Sequence, residues 1–546
     1  MAIQTPYMNL SALVIDDMAV QQTTLRGQLA MLGLSKIDAA GTPDDALRMI
    51  RARPYALVLC DYNLNHKTDG QQLLEYVREQ GLLTAECLFF MVTAENAYAS
   101  VASTTDHKPD AYLLKPITAG DIEERLKAQL ERQRALLPIN ERLTRNDRAG
   151  ALAECEKLLA RKDRWFMQAL QLKAQTLLQL GRHEDAKAVY LSALAQRSQL
   201  LWAQLGLAQA HKAAGAFEEA KLVAGDIINT KGGEKNVAAY DIVAESLEAQ
   251  GDLRGAQRML SEAAAVVPSA KRLRMVGESA YRNGDLELAK TCLAKVAKAT
   301  RGALTAQAQD TLSLAQVLVD RGELQEAFGL LDDSAAAQRS NAQFEPVAQA
   351  LRAQAHAKAG DTAAAAAAAQ RAREALRTGK ADFATVALAK AELMTGNAAA
   401  GLELLKGAVT SDHDNARVKA LIRNALNDTG HAAEADALID GATAGLTGRV
   451  ADAKRLFRES RIDEALALIE AAAKDFPDNT TVLLQAAQIN CMTLRLRKRV
   501  DAAAAERVRL YLSRLERLLP ASDRVTQMQR YYRETMAGLA SMAVAA

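Results

Sequence analysis

The chain has 546 residues, a quarter of them charged, a net charge of +2 and only 4% aromatic side chains. That length exceeds what one hydrophobic core serves, so two or more domains are expected, and the near-zero net charge excludes a global field steering the chain to DNA or a membrane surface. Five widely spaced cysteines form no CxxC pair or disulfide framework, and no basic n-region or long apolar span stands near the N-terminus, so a cytoplasmic protein is expected.

Residues 1–135 alternate strand-like and helix-like stretches. Leu13–Ile15, Ala56–Cys60, Leu88–Val92 and Ala111–Leu114 are short apolar runs of the kind that buried parallel strands require. Thr42-Pro43 supplies an N-cap and first helical residue ahead of Ala46, Leu47 and Ile50. Thr118, three residues before Asp121, opens a helix with Ile122, Leu126 and Leu130 on one face; Pro138 should end or kink it. Such alternation predicts a doubly wound α/β domain with its chemistry at the carboxyl ends of the strands.

From residue 136 to about 490 the strand signals vanish and a glycine followed five residues later by alanine recurs: Gly181/Ala186, Gly215/Ala220, Gly251/Ala256, Gly284/Ala289, Gly322/Ala327, Gly360/Ala365 and Gly430/Ala435. Gly396/Gly401 and Ser460/Ala465 are variants of the same pair. Seven residues before most of these glycines sits another small residue, such as Ala174, Ala208 or Ala315, although Arg423 breaks the rule. Small residues at fixed offsets let two helices approach closely while the glycine turns the chain between them. The period resembles that of the tetratricopeptide repeat family, about 34 residues per helix–turn–helix unit. The resemblance implies an all-α solenoid presenting an extended protein-binding surface. Residues 491–546 form a third region, whose stretch Arg495–Arg533 carries eleven basic residues against four acidic ones. Val508, Leu512, Leu515 and Leu519 give it the apolar face of a capping helix.

The motif that carries chemistry lies in the first region. Asp16-Asp17 follow the first strand, Asp61 the third, Thr93-Ala94 the fourth and Lys115-Pro116 the fifth. Converging carboxylates hold a hard divalent cation, and a lysine with a hydroxyl supplies further stabilisation to a phosphoryl group. In position and order these residues resemble the receiver domain of bacterial two-component response regulators, which implies a five-stranded parallel sheet. The resemblance implies Asp61 as phosphoacceptor. It also implies a Mg²⁺ or Mn²⁺ site built from Asp16, Asp17, Asp61 and the backbone carbonyl of Asn63. Thr93 and Lys115 would contact the phosphoryl group, Thr93 and Tyr112 would form the switch, and Asn63 with Glu95 would set the rate of dephosphorylation. A cis peptide is implied at Lys115–Pro116. The loop Tyr62–Asp69 departs from the family pattern: its Met-Pro pair is absent and the segment before Gly70 looks about one residue longer. His66 within it reads as a solvated loop residue.

The function expected is a phosphorylation-controlled response regulator whose helical repeats bind another protein. Self-phosphorylation and self-dephosphorylation would be its only chemistry. Its partners would be a sensor histidine kinase or phosphotransfer protein and an unidentified protein held by the repeats, with a homodimer open and neither DNA nor membrane bound. Two alternatives remain at this level: a feedback modulator of its own kinase, and an RNA-binding regulator acting through the basic C-terminus.

Overall fold

The computed structural model describes residues 7–84, 86–94, 108–145, 147–304, 306–336, 338–339, 341–376, 383–412, 415–443, 446–497, 499, 501–519 and 523–545. The chain forms two compact units. The first comprises Met1–Ser246, Arg258–Met275 and Ala294–Gln307; the second comprises Leu247–Gln257, Val276–Leu293 and Ala308–Ala546.

The first unit opens with five parallel strands, β1 (Ser11–Ile15), β2 (Lys36–Ala40), β3 (Leu57–Asp61), β4 (Leu88–Thr93) and β5 (Ala111–Leu114), in the order β2-β1-β3-β4-β5. Among the described residues four helices accompany them: α1 (Ala19–Met31), α2 (Pro43–Ala52), α3 (Gly70–Glu79) and α4 (Ala119–Thr144). Side chains alternate across the strands, so each face has its own core. Leu13, Ile15, Val58, Cys60, Phe89 and Met91 pack with the α2 and α3 side, whereas Val14, Leu57, Leu59, Phe90 and Val92 pack with α1 and α4. The strand β2 (Lys-Ile-Asp-Ala-Ala) buries only Ala40. It is an edge strand and shows no apolar run, so the sequence implied it by number without placing it. Thr42 caps α2 by accepting from Asp45 N at 3.1 Å, and Thr118 with Asp121 forms a capping box on α4.

The helix α4 does not stop at Pro138; it continues to Thr144. Its first half buries Ile122 and Leu126 in the sheet's core, and its second half buries Leu136 and Ile139 against Ala151, Cys155 and Leu158 of the next helix, Arg148–Ala160. A proline in a helix interior costs about 3 kcal/mol, and burial of Leu136 and Ile139 offsets it. The boundary expected at residue 135 therefore falls inside a helix shared by both regions.

Beyond α4 the described elements are helices, arranged as successive hairpins. Every glycine of the periodic series, from Gly181 to Gly430, has a left-handed φ between +72° and +86°. Ser460, at the variant position, adopts the same conformation with φ +63°. The small residues at the crossings are fully buried, including Ala174, Ala186, Ala208, Ala220, Ala315 and Ala327. At Gly401 a Cβ would meet Leu393 Cγ at 2.6 Å and the Ala389 carbonyl at 2.9 Å. Arg423 is exposed and pairs with Asp436 at 3.1 Å, while Ile422 and Ala425 bury themselves instead. A serine in the left-handed region carries a steric cost that glycine lacks. Ser460→Gly should therefore raise stability by about 1 kcal/mol. A urea midpoint that stays put or falls would contradict this account of the turn.

In the second unit a buried polar ladder runs between hairpins. Lys390 is fully buried, with Nζ 2.6 Å from Asp320 Oδ1 and 2.9 Å from Asp428 Oδ2. The Tyr281 hydroxyl donates to Asp320 Oδ2 at 2.9 Å, and Gln316 Nε2 donates to Asp320 Oδ1 at 3.1 Å. Asn424 Nδ2 donates to the carbonyls of Tyr281 and Arg282, and Arg417 pairs with Glu248, so residues about 140 to 170 apart in sequence meet. At the C-terminus Val508, Leu512 and Leu515 share a core with Ile469, Val482 and Leu483. The basic residues there are largely engaged: Arg497 with Asp463, Arg507 with Glu470, Arg514 with Asp478, and Arg495 over the Tyr531 ring at 4.3 Å. Lys498 lies outside the described residues.

Candidate functional site

The register of the parallel strands brings their carboxyl ends level, with Ile15 beside Cys60, Asp61 beside Val92, and Thr93 beside Leu114. Asp16, Asp61, Thr93 and Lys115 lie at or just past these ends, so residues 99 apart in sequence meet. One oxygen from each of Asp16, Asp17 and Asp61 can be chosen such that all lie within 4.8 Å of one another. Lys115 Nζ stands 3.2 Å from Asp16 Oδ2 and 3.1 Å from Asp61 Oδ2.

Backbone contacts fix these groups. Asp16 is fully buried; its carboxylate accepts from Met18 N at 2.9 Å, and Gln22 Nε2 donates to its carbonyl at 2.7 Å. Lys115 N donates to Thr93 O at 2.8 Å, and the Lys115–Pro116 peptide is cis, as the resemblance implied. Thr93 is buried at the last position of β4. A Cβ on Gly70 would fall 2.2 Å from the Asp61 carbonyl oxygen, so α3 begins against the acceptor's own backbone.

Burial raises the Asp61 carboxyl above its usual range, Lys115 pulls it down and Asp16 pushes it up. Burial alone would lower the Lys115 ammonium, but Asp61 and Asp16 outweigh it and hold it above its ordinary value. Three converging carboxylates with one lysine leave an excess of negative charge on hard oxygen donors. That donor set fits a divalent cation bound through oxygen.

The remaining predicted residues are placed less uniformly. Tyr112 lies on β5, half-buried, with its hydroxyl enclosed and lacking a hydrogen-bond partner among the described residues. Burial, with Tyr62 next in effect, pushes that phenol up to about 12. Asn63 is exposed on the loop and its side-chain oxygen accepts from Asn65 N at 3.1 Å. Glu95 lies outside the described residues. His66 is exposed. Cys60 is fully buried, and burial, reinforced by Asp61, holds its thiol well above the usual range.

Two contacts escaped the sequence. Asn65, with φ +49°, donates from Nδ2 to Asp17 Oδ2 at 2.6 Å. Thr68 Oγ1, almost fully buried, accepts from the backbone N–H of Leu304 at 3.1 Å. The only sequence signal for either was the departure of this loop from the family pattern.

Residues 12–127 match the family model of the response regulator receiver domain. Over 122 residues the chain is 29% identical to a probable chemotaxis protein CheY of Rhizobium etli, covering 22% of this chain and 90% of that protein. It is 26% identical over 124 residues to chemotaxis protein CheY-3 of Vibrio cholerae, covering 23% and 94% respectively. A crystal structure of a tetratricopeptide repeat protein from Parabacteroides merdae is similar over 48% of this chain and 98% of that one, with 11% identity and a TM-score of 0.30. No described helix is long and apolar enough to cross a membrane. The chain thus carries a response regulator receiver domain at its N-terminal end, followed by an array of helical hairpins with tetratricopeptide-like spacing.

Proposed function

We propose that this protein is a cytoplasmic response regulator in which phosphorylation of Asp61 controls binding of a protein partner by the helical repeats. The observation that carries this reading is the convergence of Asp16, Asp17, Asp61 and Lys115 at the ends of the parallel strands. Asp61 is the nucleophile. It is buried yet keeps some exposure at the mouth of the site, whereas Asp16 is fully enclosed. Asp16, Asp17, Asp61 and the Asn63 carbonyl would hold Mg²⁺ (or Mn²⁺), which when bound offsets the charge of the phosphoryl oxygens. Lys115 adds a second positive charge and Thr93 a hydroxyl donor. Tyr112 and Thr93 act as the switch, and Asn63 with Glu95 sets how quickly water removes the phosphoryl group.

In this reading residues 1–135 receive the phosphoryl group from a histidine kinase or phosphotransfer protein. Residues 136–490 bind the partner, 491–546 cap the array, and α4 is common to the first two. The engaged arginines of the C-terminal segment favour the capping role over an RNA-binding one. Affinity capture with wild type and Asp61→Asn, each with and without beryllofluoride and Mg²⁺, tests the reading. One partner should change in yield with beryllofluoride in wild type and not in Asp61→Asn. A partner set unaffected by either change would remove phosphorylation control.

A further inference from the structure

The segment Tyr62–Asp69 is the part of the site that the receiver resemblance explains least, and its contacts are specific. Both ends are tied down: Tyr62 N donates to Val92 O at 2.8 Å, and Gly70 N donates back to Tyr62 O at 2.8 Å. Between them Leu64 is fully buried, which holds the middle of the loop against the sheet's core. Three residues apart, two of its side chains reach to different places. Asn65 holds the Asp17 carboxylate, and Thr68 accepts the backbone N–H of Leu304.

Leu304 belongs to the turn that follows the helix Leu286–Thr300 of the repeat array, and that turn lies in the same compact unit as the sheet. The Leu304 side chain packs on the sheet's core cluster alongside Tyr62, Tyr76 and Tyr112. Gly302, with φ +74°, lies so close to the loop that a Cβ there would stand 3.1 Å from Lys67 Nζ. The contact continues along α3 as a cleft of about 440 Å³ lined by Asp69, Glu75, Tyr76, Val267, Lys271 and Arg274. Acidic groups of α3 thus face basic groups of the helix Ala270–Arg282, a complementary pairing.

We infer that the repeat segments Val267–Arg274 and Thr300–Leu304 are a built-in partner of the phosphoacceptor loop, with Leu304 and Thr68 as the positioning residues that join them. The loop is a short lever. One end shares the Asp17 carboxylate with whatever cation binds there, and the other is hydrogen-bonded to the repeats. Chemistry at Asp61 that moves Asn65 also moves Thr68, so the repeats feel the state of the site directly. Because coupling free energies are reciprocal, the repeats in turn set how readily the loop adopts its phosphorylated position. This route lies on the side of the domain where Tyr62 and α3 sit, away from the helix α4 that the sheet and the first hairpin share.

The inference rests on Asp61 as acceptor, and the test separates the two. Hydrogen exchange on the full chain in Mg²⁺, with and without beryllofluoride, is compared for wild type, Leu304→Ala and Leu304→Met. Phosphate incorporation from acetyl phosphate is followed in parallel. In wild type, beryllofluoride should change exchange several-fold in peptides covering 62–69 and also in those covering 267–274 and 300–304. Leu304→Ala should keep the response at 62–69, lose it in the repeat peptides, and alter the rate of incorporation several-fold. Leu304→Met, which keeps the apolar contact, should restore both. A response confined to 62–69 in wild type, with normal incorporation, overturns the inference alone. No incorporation at all overturns the assignment of Asp61 as well.

Discussion

Asp61→Ala should take up no phosphate from acetyl phosphate under conditions in which the wild type is phosphorylated in Mg²⁺, and wild type stripped of divalent cations should behave like the variant. The expectation follows from geometry rather than from the acidic residue alone. Asp16 lies nearby but is fully enclosed, with one carboxylate oxygen accepting from Met18 N and the other beside Lys115. Asp17 is held by the Asn65 amide. Asp61 retains access while its charge is opposed by Lys115 at 3.1 Å. Removing Lys115 should slow incorporation by roughly 10²–10³-fold, the usual effect of losing one preorganised charge partner of a developing anion. Label that persists on the Asp61→Ala chain would place the acceptor elsewhere.

Lys390→Met should be the most destabilising single substitution in the second unit's polar ladder, costing about 3–5 kcal/mol. Methionine matches the volume of the lysine stem, so packing changes little. What changes is that Asp320, itself enclosed, loses the ammonium 2.6 Å from its carboxylate, which keeps the neutral donors of Tyr281 and Gln316, while Lys358 reaches its backbone carbonyl rather than its carboxylate. A buried charge stripped of its counterion is the costly case, whereas removing both charges together is much cheaper. The double variant Lys390→Met, Asp320→Asn should therefore recover much of the loss. Far-UV circular dichroism in guanidinium is the suitable probe, because both tryptophans, Trp165 and Trp202, lie in the first unit. Equal losses in the single and double variants would show that packing, not charge, decides stability there.

The contrast between what was legible in the sequence and what was not is physical. Asp16, Asp61, Thr93 and Lys115 could be read because each closes an apolar run, and a parallel sheet brings such ends level wherever they fall in the chain. The hairpins could be read because a positive φ demands glycine at Gly181, Gly215 and their successors, and helix crossings demand alanine at Ala186 or Ala327. Even Ser460 kept its place in the period. The strand β2 was not placed, because an edge strand with one buried side chain leaves no pattern. Pro138 misled as a stop signal: local propensity argued against the helix, and the burial of Leu136 and Ile139 overrode it. The meeting of Thr68 with Leu304, 236 residues away, has no local signature at all.

The shared helix α4 has a consequence for insertions and deletions. Five residues, Glu131–Ala135, separate Leu130, which packs at the edge of the sheet's core, from Leu136 in the first hairpin. An α-helix turns about 100° and rises about 1.5 Å per residue. One residue added in that interval would leave both cores locally intact yet turn the hairpin's attachment by more than a quarter of a circle. Thr68 and Leu304 could then no longer meet. Seven residues, close to two full turns, would restore the phase but carry the hairpin about 10 Å along the helix axis, which parts Thr68 from Leu304 as well. The spacing between two hydrophobic patches on a single helix is thus both an angular and an axial setting, and homologous chains that keep the Thr68–Leu304 contact should keep this interval's length.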